Sequence, residues 1–171
     1  VLPDETRSAF VDDWIGVGDD EARHFTMVCD RLAALGTAYG DLPAHDGLWS
    51  AAEATAGELS ARLAVAPMVL EARGLDVTPG MIERLDAAGD RDSAAVLQVI
   101  YEDEIGHVAA GARWLRVLAG VLGEDPETLF RRQVRACFKG ALKPPFNTDA
   151  RNEAGLYEAL YLPLAAASGE P

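Results

Sequence analysis

Apolar residues recur at steps of three and four along two long stretches of the chain. From about Asp4 to Leu35 the positions Phe10, Trp14, Val17, Val28, Leu32 and Leu35 form one stripe, with Glu21 and His24 in its middle. From about Asp90 to Leu122 the positions Leu97, Ile100, Gly111, Trp114 and Leu118 do the same, with Glu104 and His107 in the middle. This is the periodicity of α-helices that each bury one face. A third stretch, about Gly47 to Arg73, carries a face of small residues (Ala54, Gly57, Ala61, Ala64, Met68) that ends in Glu71.

Glycine and proline punctuate these stretches. Gly36, Gly74 and Gly123 are placed to stop helices, and Asp46 to cap one. The expected long helices are 4–35, 47–73 and 90–122. Pro67 lies inside the second and is expected to kink it or free a carbonyl. Shorter helices are expected over 79–88 and 126–138, each opened by a cap residue and a proline, and over 152–160. KGALKPPFNTDAR reads as a loop, whose 143–147 part either covers a cavity or is a plain connector, and the tail SGEP as disordered. Helices of about 27 to 33 residues span roughly 40 to 50 Å at 1.5 Å per residue. They must pack on each other along most of that length, which predicts an all-α bundle. At 171 residues the chain has room for one domain, 1–171.

Composition narrows the function. Lys and Arg number 15 against 28 Asp and Glu, a formal net charge of −13. Such a surface repels phosphate backbones, so no nucleic-acid partner is expected. Arg131, Arg132, Arg135 and Lys139 cluster without interleaved aromatics and read as ordinary surface. No apolar run reaches a membrane span and no signal peptide is visible, so a soluble, cytoplasmic protein is expected. Cys29 and Cys137 read as reduced thiols. A chain opening on Val1 rather than Met is expected to be processed or partial.

The polar interruptions carry the chemistry. Burying an unpaired carboxylate costs several kcal/mol in practice, so a Glu in mid-stripe needs a partner or a metal. A Glu and a His three apart project from the same helix face and can share one ion. One E-x-x-H is common by chance. Here D-E21-A-R-H24 and D-E104-I-G-H107 both fall in mid-stripe and use two of the three histidines. Glu71 ends the quiet face of the middle helix and is the expected third contributor, ahead of Glu53 and Glu58. The bland alternative is two buried Glu–His ion pairs that set helix register in a metal-free interaction module. His45 reads as a cap or loop-ordering group, Tyr101 as a core tyrosine with its hydroxyl satisfied, and Arg73 as a partner of a ligand carboxylate or a solvated helix end.

The stretches DDW, EARHF, LGTAYGDLPAHDGLW, LEARGLDVTPGMIERL, DEIGH and LKPPFNT make the chain similar to a bacterial domain-of-unknown-function family (number 455). The Glu–His arrangement resembles the ferritin-like superfamily of di-iron and di-manganese carboxylate proteins. That resemblance implies a ferritin-like bundle with metal ligands Glu21, His24, Glu71, Glu104 and His107. It also implies a first bundle helix with its own Glu ahead of Val1. The implied cofactor is two iron ions, or manganese, and the implied activity is oxygen-dependent oxidation or hydroxylation of a small molecule. Iron binding or ferroxidase activity without an organic substrate is the alternative. A homodimer is compatible with either.

Overall fold

The computed structural model describes residues 2–165; the SGEP tail lies outside them. Within them the chain forms α1 (Asp4–Ala34), α2 (Gly47–Ala54), α3 (Leu59–Val65), a π-helical segment (Ala66–Glu71), α4 (Ala72–Ala87), α5 (Arg91–Leu122), α6 (Pro126–Cys137), α7 (Thr148–Glu153) and α8 (Glu158–Tyr161), ending in a 3-10 turn at Leu162–Leu164. Strand-like pairing among the described residues is limited to an isolated parallel bridge between Leu142 and Ala165. The fold is an all-α bundle, as the periodicity predicts. No described helix is long and apolar enough to cross a membrane.

Helix α5 is the axis. Asp90 caps it by accepting from Ser93 N at 3.0 Å, and Gly123 ends it in the left-handed region at φ 67°. Its neighbours include α1, α3, α4, α6 and α7. Val108, Ala112, Leu115, Leu118 and Ala119 disappear into a core shared with Leu63, Met68, Leu75, Leu129, Phe130 and Tyr161. Each large apolar side chain so buried contributes about 1.5–3 kcal/mol. Gly111 lets α5 approach the π-helical segment closely, because a Cβ there would sit 2.5 Å from the Pro67 ring.

The middle helix departs from expectation at both ends. The predicted 47–73 helix is broken after Ala54. Gly57 weakens it, Thr55 turns its hydroxyl back onto Ala51 O at 2.8 Å, and Glu58 goes extended. Glu58 is drawn aside by Gln133 of α6, whose Nε2 donates to it at 2.6 Å. Beyond that break the chain runs helically from Leu59 to Ala87, so Gly74 does not stop it and 79–88 is not a separate helix. Pro79 denies Leu75 O its helical donor, and Asn147 Nδ2 supplies one instead at 3.1 Å. At Pro67 the missing N–H is absorbed by a switch to π-helix, so the expected kink takes the form of a bulge.

Two other expectations change. The predicted 152–160 helix is two short ones, α7 and α8, separated at Gly155 with φ 72°. Helix α7 starts inside the predicted loop, where Asn147 Oδ1 caps Ala150 N at 3.2 Å. The stripe on α1 is also less buried than its spacing suggests. His24 is the only α1 residue fully buried, and Val28 and Leu35 are exposed. Helix α1 packs mainly along α5, and one neighbour cannot cover a whole stripe. Polar ties hold the two together along their length. Trp114 Nε1 and Arg113 donate to Asp13 near one end, and Arg31 donates to Asp90 and Ser93 near the other.

Candidate metal centre

Midway along the contact of α1 with α5 the five predicted residues come together. One oxygen or nitrogen from each of Glu21, His24 and Glu104 lies within 4.8 Å of the others. Glu71, Glu104 and His107 form a second such group. Glu104 belongs to both, and the two imidazole rings stand 5.8 Å apart. Helix periodicity aligns each Glu with the His three residues on. The π-helical bulge ends at Glu71 and delivers it to the same level.

Two aspartates that the sequence reading passed over complete the geometry. His24 Nε2 lies 2.9 Å from Asp103 Oδ2 on α5, and His107 Nε2 lies 3.4 Å from Asp20 Oδ2 on α1. Each ring is therefore held by the aspartate of the opposite helix. Arg23 ties the two aspartates together, at 2.6 Å to Asp20 and 2.9 Å to Asp103. With Nε2 engaged, Nδ1 of each ring faces the glutamates. His24 Nδ1 is 3.7 Å from Glu21 Oε1, and His107 Nδ1 is 3.1 Å from Glu21 Oε1 and 3.5 Å from Glu104 Oε2. The signal was present in the repeated D-E-x-x-H, where an Asp precedes each Glu.

None of those Nδ1 contacts is aligned as a hydrogen bond. His24 Nδ1, His107 Nδ1, Glu71 Oε2 and Glu104 Oε2 are buried with no hydrogen-bond partner. They are four of the eight such atoms among the described residues. Leaving a buried polar atom unpaired costs about 1–3 kcal/mol, so four at one point call for a common partner. Two imidazole nitrogens among three carboxylates form a donor set suited to first-row transition metals. An aspartate on the remote nitrogen of each ring is the usual support of a metal-bound histidine.

The protonation pattern shows which protons an arriving metal ion would displace. Burial, with the charge of Glu104 adding to it, pushes the Glu71 carboxyl up to about 7. Burial works against a charged His107, but the surrounding carboxylates of Glu104, Glu21 and Asp20 raise it to about 10. His107 in turn holds Glu21 below its ordinary range, as Arg23 and His107 do for Asp20. Near neutral pH His107 therefore carries a proton and Glu71 is about half protonated. A divalent ion must displace both. Affinity for Mn²⁺ is expected to rise about tenfold per pH unit for each proton displaced, more steeply below pH 7 than above it. Both groups have folded values above their unfolded ones, so the stability they lend the metal-free protein is lost as pH rises, through about 7 for Glu71 and about 10 for His107. Titration calorimetry with Mn²⁺ at pH 6 and 8, in buffers of different ionisation heat, measures the protons released. Equal affinity at both values would exclude these groups as ligands.

The remaining candidates lie apart from the cluster. His45 Nδ1 accepts from Gly47 N at 2.9 Å and orders the start of α2. Tyr101 accepts at its hydroxyl from Asn147 Nδ2 at 3.0 Å, as expected of a satisfied core tyrosine. Arg73 does not pair with a ligand carboxylate; it donates to the backbone oxygens of Lys143 and Pro145. Glu53 is exposed and Glu58 is held by Gln133. Beside His107 an open cleft of about 440 Å³ is bordered by Asp12, Asp13, Asp20, Glu102 and Asp103.

Residues 2–162 match the family described as "Protein of unknown function (DUF455)". The chain is also 42% identical over 151 residues to an "Uncharacterized protein" of Haemophilus influenzae, covering 86% of this chain and 51% of that one. It thus spans about half the length of the curated relative it matches. No solved structure matches it.

Proposed function

This chain belongs to the DUF455 family, and we propose that it is a dinuclear transition-metal protein, with Glu21, His24, Glu71, Glu104 and His107 as the ligands. The observation behind this reading is the meeting of four buried, unpartnered donor atoms in two groups that share Glu104. Ion-pair contacts of 3.1 to 3.7 Å reach three of these atoms, but none of the four has an aligned hydrogen bond, and that is the gap a metal ion would fill. Mixed imidazole and carboxylate donors suit iron or manganese better than calcium or magnesium, which take oxygen ligands. Two E-x-x-H pairs on facing helices with a further Glu are the donor pattern of the ferritin-like di-metal bundles, and the proposal extends to membership of that superfamily.

A bound pair of irons supplies one-electron chemistry and the activation of dioxygen, which makes oxidation or hydroxylation of a small molecule the proposed reaction. The chain's own residues do the rest. Asp20 and Asp103 fix both rings through Nε2 and keep Nδ1 on the cluster, while Arg23 offsets their charge. The acidic cleft beside His107 draws cations inward and repels anions from that side. Helices α6 to α8 build a C-terminal cap over α5 beyond what a minimal storage bundle requires, which favours the enzyme over iron storage.

The test is elemental analysis of protein purified without chelator, followed by reconstitution with Fe²⁺ under argon and admission of oxygen. About two irons or manganeses per chain, with oxygen consumed by the ferrous form, is the expected result. A folded protein that takes up neither metal would end the proposal.

A further inference from the structure

The loop from Lys139 to Phe146 covers a cavity of about 410 Å³, within the range of small-molecule sites. Its floor is apolar, formed by Val69 and Leu70 beside Phe138, Leu142 and Phe146. Its charged lining is unusual for so acidic a chain. Arg73, Lys139, Lys143 and Arg151 border it against a single carboxylate, Asp76.

Arg151 is the built element. It is 2% exposed, and its guanidinium packs against the edge-to-face pair of Phe146 and Tyr161, 4.9 and 4.5 Å from their centroids. Nε and Nη2 each donate to Asp76 at 2.7 Å, and Nη2 also reaches Ala72 O at 3.3 Å. Nη1 is buried and has no hydrogen-bond partner. A guanidinium offers its donors in a rigid fork, so the arm left free is fixed in direction by the arms that are bound. Arg73 ties the loop to α4 through the carbonyls of Lys143 and Pro145, and this holds Lys143 at the cavity. Lys139 and Lys143 are exposed and border the same cavity.

We propose that this cavity binds an amphipathic organic anion, its apolar body on Val69, Leu70 and Phe138 and its carboxylate or phosphate head among Arg151, Lys139 and Lys143. Charge-assisted contacts to the head and burial of the body act together, so neither part alone binds well. The site is separate in its residues from the Glu–His cluster and does not depend on the metal reading.

Calorimetric titration of the whole, metal-free chain with octanoate, octyl phosphate, octylamine and inorganic phosphate tests it. Octanoate or octyl phosphate is expected to saturate one site per chain, and whichever binds tighter identifies the head group. Octylamine and inorganic phosphate are expected to bind at least tenfold more weakly. Lys139→Gln/Lys143→Gln changes two exposed side chains and spares the fold; it is expected to weaken the anion on the order of tenfold or more. Leu70→Asp is expected to weaken it further. Octylamine binding as well as octanoate, inorganic phosphate binding as well as either, or the double variant binding octanoate unchanged would each overturn the proposal.

Discussion

Glu104→Ala is expected to remove both ions from the protein at once, the largest single-residue effect on the proposed function. Glu104 is the one residue common to the two ligand groups, and its Oε2 is buried without a hydrogen-bond partner. Deleting it takes an anionic donor from each ion, so the loss should exceed the ~10–100-fold typical when only the support of a ligand is removed. Glu71→Ala provides the graded comparison. It dismantles the group containing His107 but leaves Glu21, His24 and Glu104 intact, so about one ion per chain is expected to remain. The metal-free Glu104→Ala protein should melt close to the parent, because the change also relieves the repulsion that raises Glu71. Elemental analysis and thermal melts of both variants decide the matter. If the parent holds no metal and Glu104→Ala costs about 3–5 kcal/mol, the cost of breaking a buried ion pair, the cluster is a structural network instead.

The five residues of the cluster were legible because helix periodicity converts spacing into geometry. Two E-x-x-H pairs in mid-stripe can hardly avoid facing each other once their helices pack. Asp20 and Asp103 were passed over because each sits next to a Glu and projects about 100° away from it around the helix. Only the crossing of α1 and α5 brings each aspartate to the other helix's histidine. Tertiary partners also decided the misplaced boundaries. Pro79 reads as a helix start in the sequence, but Asn147, far away in the chain, supplies the hydrogen bond that lets the helix run through it. Gln133 of α6 similarly fixes the break at Glu58. The buried Arg151 had no periodic signal, since it lies in a short helix within what reads as a loop.

Gly111→Ala is expected to be the most destabilising small substitution in α5, although alanine is the better helix former. An added Cβ would lie 2.5 Å from Pro67 Cγ, 2.7 Å from Pro67 Cβ and 3.3 Å from Met68 Cγ. The methionine can move, but the proline ring is fused to the backbone of the π-helical segment, so α5 and that segment must separate. Overpacking of this kind costs about 1–3 kcal/mol, against a gain of up to ~1 kcal/mol in helix propensity. In a chain of this size each kcal/mol lowers the melting temperature by about 2–4 °C. Gly106→Ala, five residues earlier on the exposed side with nothing within 4 Å, should show the propensity gain alone and raise the melting temperature. The pair of variants thus isolates the close approach from the helix effect. The same separation bears on the candidate centre, because Gly111 lies one turn beyond His107 and Pro67 one turn before Glu71. Moving the two elements apart widens the group of Glu71, Glu104 and His107, so Gly111→Ala should weaken metal binding while Gly106→Ala leaves it intact. Equal melting temperatures for both variants would mean that the close contact at Pro67 does not set the spacing of these helices.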